Sequence, residues 1–125
     1  MTKLAIVLQQ FETALGRLDE VIQEPKSDII RDSAVKRFEI VFDLCWKMTK
    51  TFLEERHGVI CRSPKSCFRE AYQQKLIAYD DFWIKMADLR NKLAHTYKEE
   101  TAEEVYGLMP EIFKHFKLLL DDVKK

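Results

Sequence analysis

The sequence contains few of the residues that make tight turns. It has only three glycines and three prolines in 125 residues. A β-rich domain of this size needs many turns, and those turns draw on glycine, proline and asparagine. The scarcity of turn residues therefore favours a few long helices joined by short connections. At this length we expect one domain, spanning residues 1–125.

The chain also lacks an excess of either charge, and it lacks long apolar runs. It carries 21 Lys and Arg against 21 Asp and Glu, so any nucleic-acid contact would be confined to a small local site. No stretch approaches the roughly 20 apolar residues that span a bilayer. The N-terminal segment contains Gln9, Gln10 and Glu12 and does not resemble a signal peptide. We therefore predict a cytoplasmic protein without a membrane segment.

Cysteine is scarce, and the three cysteines do not form a recognisable pattern. Cys45, Cys61 and Cys67 are odd in number and lack zinc-ligand spacing. The simplest interpretation is three free thiols and no metal site. Cys45 falls within an apolar stripe, so we expect it to be a small core residue.

Apolar residues instead recur at three- and four-residue steps through most of the chain, which predicts amphipathic helices. Gly58 follows one such segment as a C-terminal stop, and Asp80 precedes another as an N-cap. We predict an all-α fold, an antiparallel four- to five-helix up-and-down bundle. The predicted segments are about 2–23, 28–57, 64–75, one after Asp80, and a last one opened by a capping box at 101–104.

Pro110 lies inside the last apolar stripe. It removes one backbone donor and should kink the helix near Tyr106. Because the stripe keeps its phase across the proline, we predict one bent helix rather than two.

The three histidines differ in their neighbours. His57 closes the second segment, and His115 precedes the core residue Phe116, so we expect both to have structural or solvent roles. His95 lies in a polar run with Arg90, Asn91 and Tyr97. No metal-ligand cluster, phosphate-binding loop or hydrolase triad accompanies it.

A helical wheel places these four residues around a shallow gap. At about 100° per residue, Arg90 and Tyr97 fall nearly in line at the edge of the core side. Asn91 and His95 lie one turn apart and can touch. All four can hydrogen-bond to phosphate or to a base edge. The alternative is a structural role, with Arg90 paired to a carboxylate such as Glu39 and His95 capping its own helix.

This run resembles the R-x4-H-x-Y signature of HEPN-type helical proteins. The nearest branch is the nucleotidyltransferase substrate-binding protein family, which is related to HepT-like toxins. The resemblance covers the chain from about Asp32 to the end. Its matching residues are Arg37-Phe38-Glu39, Trp46-Lys47, Gly58, Ser63-Pro64, Trp83, Met86, Arg90-Asn91, His95-Thr96-Tyr97 and Glu99-Glu100-Thr101-Ala102-Glu103-Glu104.

The resemblance implies a homodimer that binds a small nucleotidyltransferase encoded nearby. It implies no cofactor of its own, because the partner would use Mg and a nucleoside triphosphate. As a substrate-binding subunit, the protein would position a nucleotidyl acceptor in a groove at the dimer interface. The residues of that groove would be Arg90, Asn91, His95 and Tyr97.

The related toxins imply an alternative, a metal-independent endoribonuclease whose nucleotidyltransferase partner is the antitoxin. There Arg90 and His95 would cleave RNA, and adenylylation of Tyr97 would silence the protein. Metal-free cleavage needs both a base and an acid, but each chain supplies only one motif histidine, and it lies about 140° from Arg90 on the wheel. A two-fold dimer that brings two motifs together would therefore be required. The segment 92–94 is closer to the toxin pattern, whereas the longer flanking segments favour the substrate-binding branch. A dimerisation bundle with a vestigial motif is the third alternative.

Overall fold

The protein folds into six helices without β-strands. The computed structural model describes residues 1–125. A long hairpin of the first two helices forms one side of the molecule, and the last helix packs against the first. None of the helices has a stretch long and apolar enough to cross a membrane. The helices are α1 (Lys3–Ile22), α2 (Asp28–His57), α3 (Pro64–Gln73), α4 (Phe82–His95), α5 (Glu99–Gly107) and α6 (Met109–Lys124).

Capping residues mark where several of the helices begin and end. The hydroxyl of Ser27 accepts a hydrogen bond from Ile30 N at 3.1 Å at the start of α2. Gly58 has φ 65°, the left-handed conformation that closes a helix, and it ends α2 as predicted. Asp81 is the N-cap residue of α4 and makes no side-chain capping bond, but the predicted Asp80 accepts from Phe82 N at 2.9 Å.

The C-terminal segment differs from the prediction of one bent helix. It is divided into α5 and α6 at Leu108, because Pro110 has no N–H for the carbonyl of Tyr106 and its ring crowds that carbonyl. The Leu108 N–H bonds both Glu104 O and Val105 O at 3.1 Å. The predicted capping box is also wrong, since α5 begins at Glu99 rather than after Thr101. The apolar stripe nevertheless stays in phase, so both helices face the same core.

Aromatic side chains form the centre of that core. Phe11, Phe38, Phe42 and Phe116 are almost fully buried. The Phe116 ring lies 6.0 Å from Phe11 and 6.3 Å from both Phe38 and Trp83, centroid to centroid. One residue of α6 therefore contacts α1, α2 and α4.

Of the structural and solvent roles expected for His115, the structure shows the structural one. Its side chain is buried beside the rings of Phe82 and Trp83. Nδ1 donates to Glu111 O at 2.8 Å, and Nε2 lies 2.6 Å from Asp80 Oδ2. Both ring nitrogens therefore have hydrogen-bond partners, which makes burial of the polar ring tolerable. The start of α4 closes over this edge of α6 and supplies one of these partners.

This contact predicts an acid-sensitive contribution to stability. The His115 hydrogen bond lowers the pKa of Asp80 below its ordinary value of 3.8. A carboxylate with a depressed pKa stabilises the fold above its unfolded pKa, and this contribution is lost as pH falls through the folded pKa. We expect Asp80→Asn to cost about 1 kcal/mol at pH 7, a value reduced for partial exposure. In urea titrations this difference should shrink below about pH 4, and a constant difference down to pH 2 would contradict the assignment.

The expectation of three free thiols is wrong for two of them. Cys61 and Cys67 form a disulfide, while Cys45 is free and fully buried, as its place in the stripe predicts. The short α2–α3 connection brings the two Cα atoms within 5.1 Å, inside the normal range for a disulfide. Sequence spacing alone could not reveal this, because the approach depends on how α3 folds back.

Candidate functional site

The four predicted site residues lie around the junction between α4 and α5. Arg90, Asn91 and His95 belong to the last two turns of α4, and Tyr97 lies in the connection 96–98. Thr96 has extended backbone (φ −153°, ψ 122°) and ends the helix, with its N–H bonded to Lys92 O at 3.2 Å. This turn out of the helix directs Tyr97 back towards α2.

The Arg90 guanidinium is engaged by carboxylates of α2. Nε and Nη2 donate to the two oxygens of Asp43, both at 3.1 Å, and Nη1 lies 3.7 Å from Glu39 Oε2. The fork-to-carboxylate hydrogen bonds raise the pKa of Arg90 above its ordinary value. The pairing with Glu39 left open by the sequence is thus present, but Asp43 makes the direct hydrogen bonds.

The Tyr97 hydroxyl is held in the same way by a residue of α2. It donates to Asp32 Oδ1 at 2.6 Å, although the tyrosine side chain as a whole is exposed. This hydrogen bond raises the pKa of Tyr97 above its ordinary 10.0 and is the main cause that lowers the pKa of Asp32 below 3.8. The hydroxyl is consequently a fixed donor and Asp32 a fixed anion.

Behind Asp32 lies a buried guanidinium that the sequence analysis missed. Arg31 is 4% exposed and donates to Asp32 Oδ1 at 3.1 Å. Its Nη1 donates to Glu103 at 2.8 Å and to Glu99 at 3.1 Å. The hydrogen bond to Glu103 contributes most to raising the pKa of Arg31 well above its ordinary value, and the bonds to Asp32 and Glu99 add to this effect. Arg31 therefore ties α2 to the first turns of α5, immediately after Tyr97.

Asn91 and His95 face a separate open depression of about 560 Å³. They lie on the solvent side of α4, one turn apart, as the helical wheel predicts. No hydrophobic or aromatic residue lines the depression, so it suits a hydroxylated or phosphorylated ligand better than a stacked base. The residues that line it are Asn91, Lys92, His95, Thr96, Lys98, Glu100, Thr101 and Glu104.

The structure thus divides the four predicted residues into two pairs. Asn91 and His95 open to the depression, whereas Arg90 and Tyr97 bind a row of α2 carboxylates. Asp32, Glu39 and Asp43 are spaced by seven and four residues, which places them on one face of α2. This spacing is a readable signal, but only the packing of α4 on α2 shows what the row contacts. No group of three or more His, Cys, Asp or Glu side chains is arranged to hold a metal ion.

Comparisons with known proteins give a family match and two solved structures of similar fold. The family model described as "Nucleotidyltransferase substrate binding protein like" matches residues 7–125. The fold is similar to that of ttk003001694 from Thermus thermophilus, with a TM-score of 0.86 and 30% identity, covering 92% of this chain and 99% of that one. It is also similar to HI0074 from Haemophilus influenzae, with a TM-score of 0.81 and 25% identity, covering 94% and 99%.

HI0074 is described as having the fold of a substrate-binding domain of a nucleotidyltransferase. A curated relative from Haemophilus influenzae is a probable ribonuclease HepT, 28% identical over 102 residues, or 78% of this chain and 70% of that protein. The family match spans nearly the whole chain, and two solved structures share its architecture. This chain therefore belongs to the nucleotidyltransferase substrate-binding protein family.

Proposed function

We propose that this protein is the substrate-binding partner of a small nucleotidyltransferase encoded nearby. In this role it presents a nucleotidyl acceptor at the α4–α5 junction, where Asn91 and His95 open to solvent and Tyr97 is exposed. The polar lining of the depression supports an acceptor that bears hydroxyl or phosphate groups. The Mg and the nucleoside triphosphate belong to the partner's chemistry, and this chain contributes binding and orientation.

The observation that carries this proposal is the pairing of Arg90 with Asp43 and Glu39. Metal-free RNA cleavage needs a cation free to stabilise the charge that develops on the phosphoryl oxygens. Here two carboxylates already neutralise the Arg90 guanidinium. The arrangement therefore favours a presenting surface over a ribonuclease centre.

We also propose that the functional unit is a homodimer, as the family resemblance implies. A two-fold axis near the α4–α5 junction would bring two copies of Asn91, His95 and Tyr97 to one groove. Light scattering during size-exclusion chromatography should give the mass of two chains at micromolar concentration. If this protein has the mass of one chain alone, and the complex with the partner contains only one copy of it, the shared groove is ruled out.

The experiment is nucleotidyl transfer by the reconstituted pair. The nucleotidyltransferase encoded nearby is purified together with this protein, and the pair is supplied with Mg and a labelled nucleoside triphosphate. We expect the pair to co-purify, and we expect Asn91→Ala with His95→Ala to lower transfer about 10- to 100-fold, because polar contacts to the acceptor are lost. The matched control is the double variant Gln9→Ala and Gln10→Ala. These two residues line a different groove, between α1 and α2, and their replacement should leave transfer unchanged. Equal rates for both double variants would contradict the proposal.

The second candidate function is the HepT-like ribonuclease, which the 28% identity to the probable ribonuclease HepT favours. In it His95 would move protons, Arg90 would stabilise the phosphoryl charge, and modification of Tyr97 by the partner would block the site. It predicts that purified protein cleaves single-stranded RNA and that Arg90→Ala abolishes the cleavage. It also predicts faster cleavage by Asp43→Asn, which releases the guanidinium. The substrate-binding proposal predicts no cleavage by either the wild type or Asp43→Asn.

A further inference from the structure

We infer that Asp32 is the positioning residue for Tyr97 as a nucleotidyl acceptor, fixing the hydroxyl and receiving its proton during transfer. The inference rests on the proposed function, since the partner must supply the nucleoside triphosphate. It names a residue, Asp32, that lies outside the motif and belongs to a different helix.

The Tyr97 phenol is held in one direction by a residue of another helix. A tyrosine in an exposed connection normally turns freely, yet the Tyr97 hydroxyl donates to Asp32 Oδ1 at 2.6 Å, across 65 residues of sequence. A hydrogen bond from a phenol to an ionised carboxylate is short and strong. The oxygen therefore has a fixed direction while the side chain remains 56% exposed and open to a second protein.

The Asp32 carboxylate is in turn held in place by a buried arginine. The Arg31 guanidinium, whose side chain is only 5% exposed, bonds the same carboxylate oxygen and also Glu99 and Glu103 at the start of α5. Burying a cation is costly unless it is fully paired, so this cluster is a rigid unit. The cluster fixes the Asp32 carboxylate on α2 and also the start of α5, just after Tyr97. It thereby sets the distance between Asp32 and Tyr97. Side chains held in this way are what a preorganised acceptor requires.

A proton balance shows what each group does. The Tyr97 oxygen forms a bond to the α-phosphorus of the nucleoside triphosphate bound by the partner. The bond from that phosphorus to the oxygen bridging the β-phosphate breaks, and pyrophosphate leaves. The phenolic proton passes to the Asp32 carboxylate and then to water. Arg31 keeps its pairing with Glu99 and Glu103 when Asp32 is neutral, so the cluster does not collapse.

The charged groups around this pair come from three parts of the chain. Arg31 and Asp28 belong to α2, with Arg31 Nη1 3.8 Å from Asp28 Oδ1. Glu99 and Glu103 belong to α5, and Lys26 from the α1–α2 connection bonds Glu103 at 2.7 Å. Only Arg31 among the cations touches Asp32 directly.

The structure offers a matched control at the other end of α4. The Tyr79 hydroxyl donates to Asp81, and this bond likewise raises the pKa of Tyr79. The pair is exposed, its members are only two residues apart, and no arginine bonds Asp81. Asp81→Asn therefore removes the same type of hydrogen bond without touching the Tyr97 cluster.

The experiment measures the initial rate of labelling of this chain by the partner, Mg and labelled nucleoside triphosphate, as a function of pH. We expect Asp32→Asn to slow labelling at least tenfold at pH 7 and Asp32→Glu to recover part of the rate, while Asp81→Asn stays within twofold of the wild type. The ratio of the Asp32→Asn rate to the wild-type rate should rise about tenfold per pH unit, because without a proton acceptor only the phenolate attacks. Taking the ratio cancels the partner's own pH dependence, and a purely structural role for Asp32 would leave the ratio flat.

A partner-free measurement checks the geometry in the folded variants. Carbon-13 NMR of the tyrosine Cζ atoms should show Tyr97 titrating above its ordinary pKa of 10.0 in the wild type and near it in Asp32→Asn, with Tyr79 unchanged. Tyr97 titrating identically in both proteins would overturn the assignment of Asp32 even if a variant is too unstable for the transfer assay.

The possible outcomes distinguish failure of this inference from failure of the proposed function. Label on another molecule but none on wild-type Tyr97 would overturn Tyr97 as acceptor and leave the proposed function standing. Label on Tyr97 at equal rate and with a flat ratio in Asp32→Asn would overturn the role of Asp32 alone. No complex and no transfer would remove the proposed function and this inference together.

Discussion

Replacing Phe116 by alanine is expected to lower the free energy of unfolding by about 3–5 kcal/mol. The ring is fully buried and lies within 6.3 Å of the rings of Phe11, Phe38 and Trp83. Its removal leaves a cavity where α1, α2, α4 and α6 meet, and it also loses the edge-to-face contact with Phe11. Since a domain of this kind has about 5–15 kcal/mol of stability, the variant should be marginal at 37 °C.

Urea unfolding followed by circular dichroism measures this loss. The matched control is Leu118→Ala on the same helix, whose side chain is 53% exposed and whose replacement should change stability by less than about 0.5 kcal/mol. A loss below about 1 kcal/mol for Phe116→Ala would contradict a core centred on this residue. Because α2 and α4 carry the two halves of the candidate site, the variant should also lose transfer activity as it unfolds.

Replacing Arg90 by alanine is expected to cost about 1–2 kcal/mol. This value lies between that of an exposed ion pair and that of a buried one, because the Arg90 side chain is 22% exposed and the Asp43 side chain 43%. The hydrogen bonds at 3.1 Å join α4 to α2, so their loss should loosen the C-terminal turns of α4.

A double-mutant cycle isolates this contact. The single variants Arg90→Ala and Asp43→Asn are compared with the double variant in urea titrations, and we expect a coupling energy of about 1 kcal/mol. Glu39, 3.7 Å from Nη1, should account for part of the remaining effect of Arg90→Ala. Strictly additive single changes would mean that Arg90 and Asp43 do not interact in solution, and the argument against a free catalytic cation would fall.

The fold was largely predictable because its signals are local. The Gly58 stop, the Asp80 capping bond and the three- and four-residue apolar spacing indicate where α1 to α4 lie. The division at Leu108 was not predicted, because the uninterrupted stripe indicated one helix while Pro110 disrupted the backbone. Periodicity reports which face is buried, and it does not report whether every backbone hydrogen bond on that face survives.

The features missed in the sequence depend on how the chain packs rather than on local spacing. The buried His115 ring hydrogen-bonds Asp80, which lies 35 residues earlier in the chain. The Cys61–Cys67 disulfide depends on how α3 folds back after α2.

The candidate site shows the same limit. The helical wheel places all four residues around one gap, whereas the structure divides them into two pairs, and α4 ends at His95, before Tyr97. Their partners Asp32 and Asp43 could not be assigned, because the register of α4 on α2 is set by packing.

Hydrogen exchange in the complex with the adjacent nucleotidyltransferase tests the central claim most directly. If the α4–α5 junction is the surface at which the acceptor is presented, the partner should slow exchange of amides within 91–101, with Mg and a non-hydrolysable nucleoside triphosphate increasing the protection. Amides around Ile6 and Gln9, in the groove between α1 and α2, should exchange as in the free protein. Protection confined to that groove, with 91–101 unchanged, would contradict the account.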